Sequence, residues 1–271
     1  VRESWPLLGR AEELELVRLA LTDDDSRGVV IAGTAGVGKS RLARESVAAL
    51  EADAAVEWIT ATNATATIPF GAVAHLVGDL EVRGELDLLV TLQNSVTALA
   101  ERAQAKPLVL VVDDAQHLDA AGAALVHRFV VSGMGRLVLT VRTGERSPDP
   151  IVLLWKDRLV QRLELAPLGR PEAEMLVEMA LGGPVDRPSH RRLWELSSGN
   201  PLYLRELVIG AVDSESLSMA DGIWSWRAQF HPSPRLTEIV GDRLERVNDA
   251  GRAVLDHLAW GEPLPFDTLA S

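Results

Sequence analysis

Hydrophobic positions in this chain fall into two kinds of run. Uninterrupted apolar stretches at Gly28-Val29-Val30-Ile31-Ala32, Leu108-Val109-Leu110-Val111-Val112 and Arg136-Leu137-Val138-Leu139-Thr140-Val141 predict strands buried on both faces, as in a parallel sheet. Ala55-Val56-Glu57-Trp58-Ile59 and Leu159 to Leu165 read as two more strands. Elsewhere the apolar residues recur at helical spacing. Leu14, Val17 and Leu21 define a leading helix that stops at Asp23-Asp24-Asp25, and Leu42, Val47 and Leu50 define another. Phe70 to Val77 and Leu86 to Ala103 read as helices, and Asp119 is placed to N-cap a helix through Phe129. Strands separated by helices over residues 1–165 predict a doubly wound α/β domain, with ligands at the carboxyl ends of the strands.

From Pro167 the pattern becomes helical. Glu172 to Leu181, Arg191 to Leu196 and Leu202 to Ile209 are separated by Gly182-Gly183-Pro184 and Gly199-Asn200-Pro201, which predicts a small helical domain over residues 166–213. Asp221-Gly222 is a turn signal before an alternating strand, Ile223-Trp224-Ser225-Trp226-Arg227, whose two tryptophans share one face and read as core. Helices at Leu236 to Leu244 and Ala250 to Leu258 then begin a third unit, residues 214–271. The chain starts without Met and stops at Leu269-Ala270-Ser271 within an apparently structured stretch, so a piece of a longer protein is expected.

The first predicted strand runs into Gly33-Thr34-Ala35-Gly36-Val37-Gly38-Lys39-Ser40, a complete GxxxxGK[ST] loop, and Arg41 continues into a helix. Such a loop aims backbone N–H groups at phosphates, with Lys39 at the β/γ-phosphates and the Ser40 hydroxyl on Mg2+, and Gly33, Gly36, Val37, Gly38, Lys39, Ser40 and Arg41 are the expected nucleotide-binding residues here. Asp113 ends the strongest strand, where a carboxylate either holds Mg2+ through water or closes a turn. Asp114 follows, placed to orient or deprotonate an attacking water or to hydrogen-bond within the turn. Arg142 ends the next strand and reads either as a γ-phosphate sensor or as a surface partner of Glu145. His117 reads as a loop hydrogen-bonder.

Composition narrows the function. The absence of cysteine excludes disulfides, thiolate metal sites and thiol catalysis, and no apolar run approaches the roughly 20 residues that span a bilayer. A net charge of −12 argues against a duplex-binding module. With Lys39, Lys106 and Lys156 the only lysines, Lys39 stands out. The nucleotide site predicts a cytoplasmic protein with ATP, ADP and Mg2+ as ligands. GTP is disfavoured by the lack of an NKxD motif, and ABC chemistry by the lack of an LSGGQ-like signature.

The order of landmarks resembles one family, the STAND branch of AAA+ P-loop ATPases and within it the nucleotide-binding part of large LuxR-type transcriptional regulators. Those landmarks are Leu7-Leu8-Gly9-Arg10 with Glu12-Glu13-Leu14, the loop at residues 33–40, Ile68-Pro69-Phe70-Gly71-Ala72, Asp113-Asp114, Thr140-Val141-Arg142 and Ser198-Gly199-Asn200-Pro201-Leu202. The resemblance implies that Gly9 and Arg10 line the adenine pocket, that Pro201 packs near the base, and that Arg142 is the strand-end sensor. It also implies a slow ATPase switch, because Asp114 stands where many AAA+ hydrolases have glutamate. The third unit would be the start of a winged-helix-like domain, in which His257 lacks the pattern of an ADP-contacting histidine. Self-association or sensor domains would complete the full protein, with DNA bound only through a C-terminal domain absent from this chain. Two other readings share the loop: an origin-recognition type AAA+ ATPase, with Arg128, Arg136 or Arg146 offered to a neighbouring subunit, and an ATPase region attached to a nucleotide cyclase.

Overall fold

The densest apolar runs become five parallel strands in one sheet. These are β1 (Gly28–Gly33), β2 (Ala55–Thr60), β3 (Leu108–Asp113), β4 (Arg136–Arg142) and β5 (Gln161–Glu164), in the order β2-β3-β4-β1-β5. This computed structural model describes residues 5–23, 25–77, 85–103, 106–227, 232–245 and 247–261. The expected end of the third unit, residues 262–271, and the side chain of His257 lie outside them.

Two compact units divide the chain: residues 5–176 together with 199–202, and residues 177–198 together with the described residues from 203 onward. In the first unit, strand side chains alternate between two faces, as the pleat requires. Val30, Ala32, Leu110, Val112, Leu137 and Leu139 enter one core with residues of α4 (Glu85–Arg102), α5 (Ala120–Ser132) and α6 (Asp149–Lys156). Val29, Ile31, Val109, Val111 and Val138 enter the other with α1 (Ala11–Thr22) and α2 (Lys39–Ala48). β1 and β3 are buried along their whole length, whereas the edge strands β2 and β5 are partly exposed. The order matters for function. β4 lies between β1 and β3, so the ends of the three central strands meet on one edge, with Gly33 in register with Arg142.

Asp119 caps α5, accepting from the N–H groups of Ala121 and Gly122 at 2.9 and 3.2 Å, and the same oxygen accepts from Phe70 N at 3.1 Å. The cap thus anchors the segment after β2. The predicted helix from Phe70 begins later there: Phe70 has φ 57, Gly71–Val73 form a 3-10 turn, and a single helical turn, α3 (Ala74–Val77), follows. β5 is shorter than the apolar run because the N–H groups of Leu159 and Val160 bond back to Leu154 O at the end of α6.

Past the sheet, α7 (Arg170–Leu181), α8 (Arg187–Ser197) and α9 (Pro201–Asp213) take the places of the three predicted helices. Asp186 caps α8, which begins four residues ahead of the predicted start at Arg191, through Ser189 N at 2.8 Å. In the second unit β6 (Leu217–Ala220) and β7 (Ile223–Trp226) form an antiparallel hairpin, followed by α10 (Pro234–Glu245) and α11 (Asp249–Gly261). Trp226 is buried, its N–H bonded to Ser189 Oγ and the Arg192 guanidinium over its ring at 4.5 Å.

Candidate functional site

β1 ends at Gly33 and α2 begins at Lys39, so residues 34–38 must reverse the chain within five positions. Gly36 and Gly38 do so with φ of 80° and 104°, a region closed to most side chains. Gly38 is the N-cap of α2 and supplies no side-chain cap, which leaves the first-turn N–H groups for an anion favoured by the helix dipole. A Cβ on Gly38 would meet nothing within 4 Å, so space lies open there. Lys39 is buried, and its Nζ donates to Thr34 O at 3.0 Å. Burial pushes its ammonium below the usual lysine value, although the charges of Asp114 and Asp113 pull the other way. A buried cation beside open space and unfilled N–H groups fits phosphate.

Ser40 Oγ donates to Asp113 Oδ1 at 2.7 Å. Mg2+ takes few protein ligands and completes its shell with water and phosphate oxygens, and this pair suits that demand. Among the described residues no group of three or more His, Asp or Glu could cage a metal.

Thr140, fully buried on β4, links the two acids. Its hydroxyl donates to Asp113 Oδ1 at 2.7 Å and accepts from Asp114 N at 2.9 Å. Asp114 sits at φ 54, off the end of β3. Arg142 grips its carboxylate with both arms, Nε to Oδ1 at 3.3 Å and Nη2 to Oδ2 at 3.0 Å, while Nη1 reaches Glu145 at 3.4 Å. Gln116 closes the ring, donating to Asp114 Oδ1 at 2.9 Å and accepting from Arg142 N at 3.2 Å. Burial alone would raise the Asp114 carboxyl, but the hydrogen bonds from Gln116 and Arg142 and the arginine's charge outweigh it and hold it below the usual aspartate value.

Arg142 thus contacts Glu145, the surface partner that one of its two readings names, and also Asp114, which neither reading named. The structure brings Lys39, Ser40, Asp113, Asp114 and Arg142 to one edge of the sheet. Val37 turns its side chain into the core, leaving its backbone for the loop. Arg41 points outward toward Glu45 at 3.4 Å. Gly9, at φ 64, packs against Glu172, and the buried Arg10 uses its guanidinium on Ala166 O at 2.5 Å and Glu13 at 2.8 Å. Pro201 starts α9, and the next residue, Leu202, donates to Gly36 O at 3.3 Å. Sequence reasoning missed Thr140 and Gln116. A polar residue inside a fully apolar strand was the available signal for Thr140.

Residues 6–140 match the AAA ATPase domain family. No curated protein matches the chain. Among solved structures, the Aeropyrum pernix Orc1 protein in complex with DNA is similar over 96% of this chain and 74% of that one, at 18% identity and a TM-score of 0.58. A point mutant of Thermotoga maritima RuvB is similar over 98% and 85%, at 16% identity and a TM-score of 0.51. At these identities the likeness concerns the fold. The chain thus carries an AAA ATPase domain over residues 6–140, within the α/β fold of P-loop AAA+ ATPases.

Proposed function

We propose that this chain is the ATP-binding, slowly hydrolysing switch module of a bacterial LuxR-type transcriptional regulator of the STAND class. The observation that carries the switch reading is the doubly bonded Arg142–Asp114 pair beside the phosphate loop. Lys39 and the loop N–H groups would bind the phosphates, and Ser40 and Asp113 would hold Mg2+, which neutralises phosphate charge when bound. Asp114 is the group placed to take a proton from an attacking water at a carboxylate oxygen. Held by Arg142 and kept acidic, it is a poor base, which supports slow turnover. Arg142 is drawn to a γ-phosphate in competition with Asp114, so the terminal phosphate is sensed and the base released by one movement.

The regulator assignment rests on the order of the sequence landmarks. In that reading residues 1–165 are the ATPase domain, 166–213 a helical domain and 214–271 the start of a winged-helix-like domain. Gly9, Arg10 and Pro201 serve the adenine, and DNA is bound by a domain outside this chain. No described helix is long and apolar enough to cross a membrane, in keeping with a cytoplasmic regulator.

A second reading, an origin-type ATPase, draws on the fold likeness to Orc1. Arg136 begins β4, at the end of the strand away from Arg142, and Arg128 bonds Gln93 at 2.9 Å, which leaves Arg146, near Arg142, as the better-placed finger for a neighbouring subunit. Two measurements separate the readings: ATPase rate against protein concentration, and anisotropy of labelled duplex DNA at low salt with ATP or ADP. The switch predicts a slow, concentration-independent rate and no sequence-selective DNA binding. Specific activity rising with concentration, together with tight selective binding, would move the origin-type reading ahead.

A further inference from the structure

The phosphate loop exposes three consecutive carbonyls, and each is engaged. Thr34 O accepts from Lys39 Nζ at 3.0 Å, Ala35 O from the Asn200 carboxamide at 2.9 Å, and Gly36 O from Leu202 N at 3.3 Å. The last two donors come from a segment some 165 residues further along the chain, yet residues 199–202 belong to the same compact unit as the loop. Leu168 N bonded to Gly199 O at 2.9 Å pins that segment from its other side. Asn200 is buried, and its side-chain oxygen accepts from Leu202 N at 3.1 Å, so both ends of one carboxamide are used. Packing is equally close at Gly36, where a Cβ would come within 2.8 Å of both Asn200 Oδ1 and Leu202 Cβ.

We infer that Asn200 is a positioning residue for the phosphate loop, tying back the Ala35 carbonyl so that the loop's N–H groups face the phosphates. This rests on the nucleotide-site reading and extends it. A peptide group has its C=O and N–H on opposite sides. Fixing the carbonyls of Ala35 and Gly36 on the Asn200 side therefore directs the N–H groups of Gly36 and Val37 away from it, the latter toward Thr34 O at 3.4 Å. Helix capping does not account for the arrangement. Accepting from Leu202 N is what a cap at α9 requires, and aspartate would do it as well. Donation to Ala35 O needs the amide nitrogen.

Asn200→Asp separates the two roles, because it keeps the acceptor for Leu202 N and sets a carboxylate against the Ala35 carbonyl. With ADP and Mg2+ in calorimetry on the full chain, N200D is expected to bind about tenfold more weakly or worse, on the order of one lost hydrogen bond. The thermal midpoint without nucleotide should fall as well, because a buried carboxylate is set against a carbonyl oxygen, so affinity is measured well below that midpoint. Hydrogen exchange on the wild-type chain supplies a readout independent of any variant: ADP should slow exchange at Leu202 N–H together with the loop amides. N200D with wild-type affinity for ADP, or a Leu202 amide indifferent to ADP, overturns the inference. A wild-type chain that does not take up ADP at all overturns the nucleotide site itself and this inference with it, so the two failures are told apart by the wild-type titration.

Discussion

Arg142 holds Asp114 through two hydrogen bonds, one to each carboxylate oxygen, across the ends of two adjacent strands. The pair is partly buried, 23% and 28% exposed, and Gln116 ties it into the backbone of β4. In the proposed role of Asp114 as base, its carboxylate is available only when something else takes the arginine.

Arg142→Gln removes both the proposed γ-phosphate contact and the restraint on Asp114. Affinity for ATP relative to ADP should fall by roughly ten-fold, on the order of one charge-assisted hydrogen bond, in paired calorimetric titrations. The acid limb of the residual ATPase pH profile should move to higher pH, because the Arg142 hydrogen bonds and charge that help depress Asp114 are gone while the Gln116 hydrogen bond remains. An unchanged ATP/ADP ratio removes the sensor role.

Lys39→Ala should weaken ATP and ADP alike, by about 1.5–3 kcal/mol. Without nucleotide the variant should be no less stable than the wild type, since burial already disfavours the charged lysine. Calorimetry and apo melting curves check both halves.

Asp114→Asn should preserve ATP binding and reduce hydrolysis, because the amide keeps the shape and loses the basicity. The same variant has a pH signature in stability. Asp114 titrates below its ordinary value when folded, so its contribution is present above the unfolded value and is lost as pH falls through the lowered folded value. The stability gap between wild type and D114N should therefore shrink on acidification, as read by urea melts at neutral pH and on the acid side of the aspartate range.

Thr140→Val deletes the hydroxyl shared by Asp113 and Asp114 while keeping the shape of the side chain. The partly buried Asp114 N–H loses its acceptor, at a cost of about 1 kcal/mol in urea unfolding. Thr140→Ser should restore most of that stability and the ATPase rate. Equal defects in both variants would mean that packing, and not the hydroxyl, is what β4 needs at this position.

The loop was readable because its chemistry is local: eight contiguous residues fix glycine turns, lysine and helix start together. β1, β3 and β4 were readable from β-branched-rich apolar runs of strand length, the pattern of a strand buried on both faces. By contrast, α6 was missed because its eight residues, rich in Ile151-Val152-Leu153-Leu154-Trp155, are too short and too uniformly apolar to show a period. β6 was missed because Leu217-Ser218-Met219-Ala220 alternates weakly, although the turn after it was seen. Site residues failed for a different reason. What Thr140 and Gln116 touch depends on β4 lying beside β3, an order that no single segment encodes. Asn200 stood out as part of a motif, but its bond to Ala35 links positions far apart in the chain.

Because residues 199–202 complete the unit that contains the loop, that unit is discontinuous in sequence. A nascent chain has every strand of the sheet once Glu164 has emerged from the ribosome, but it lacks the second and third carbonyl ties until Leu202 has followed. Expression fragments that stop after β5 would carry every residue of the GxxxxGK[ST] pattern and still lack its brace, so the smallest faithful fragment of this nucleotide site runs past Leu202.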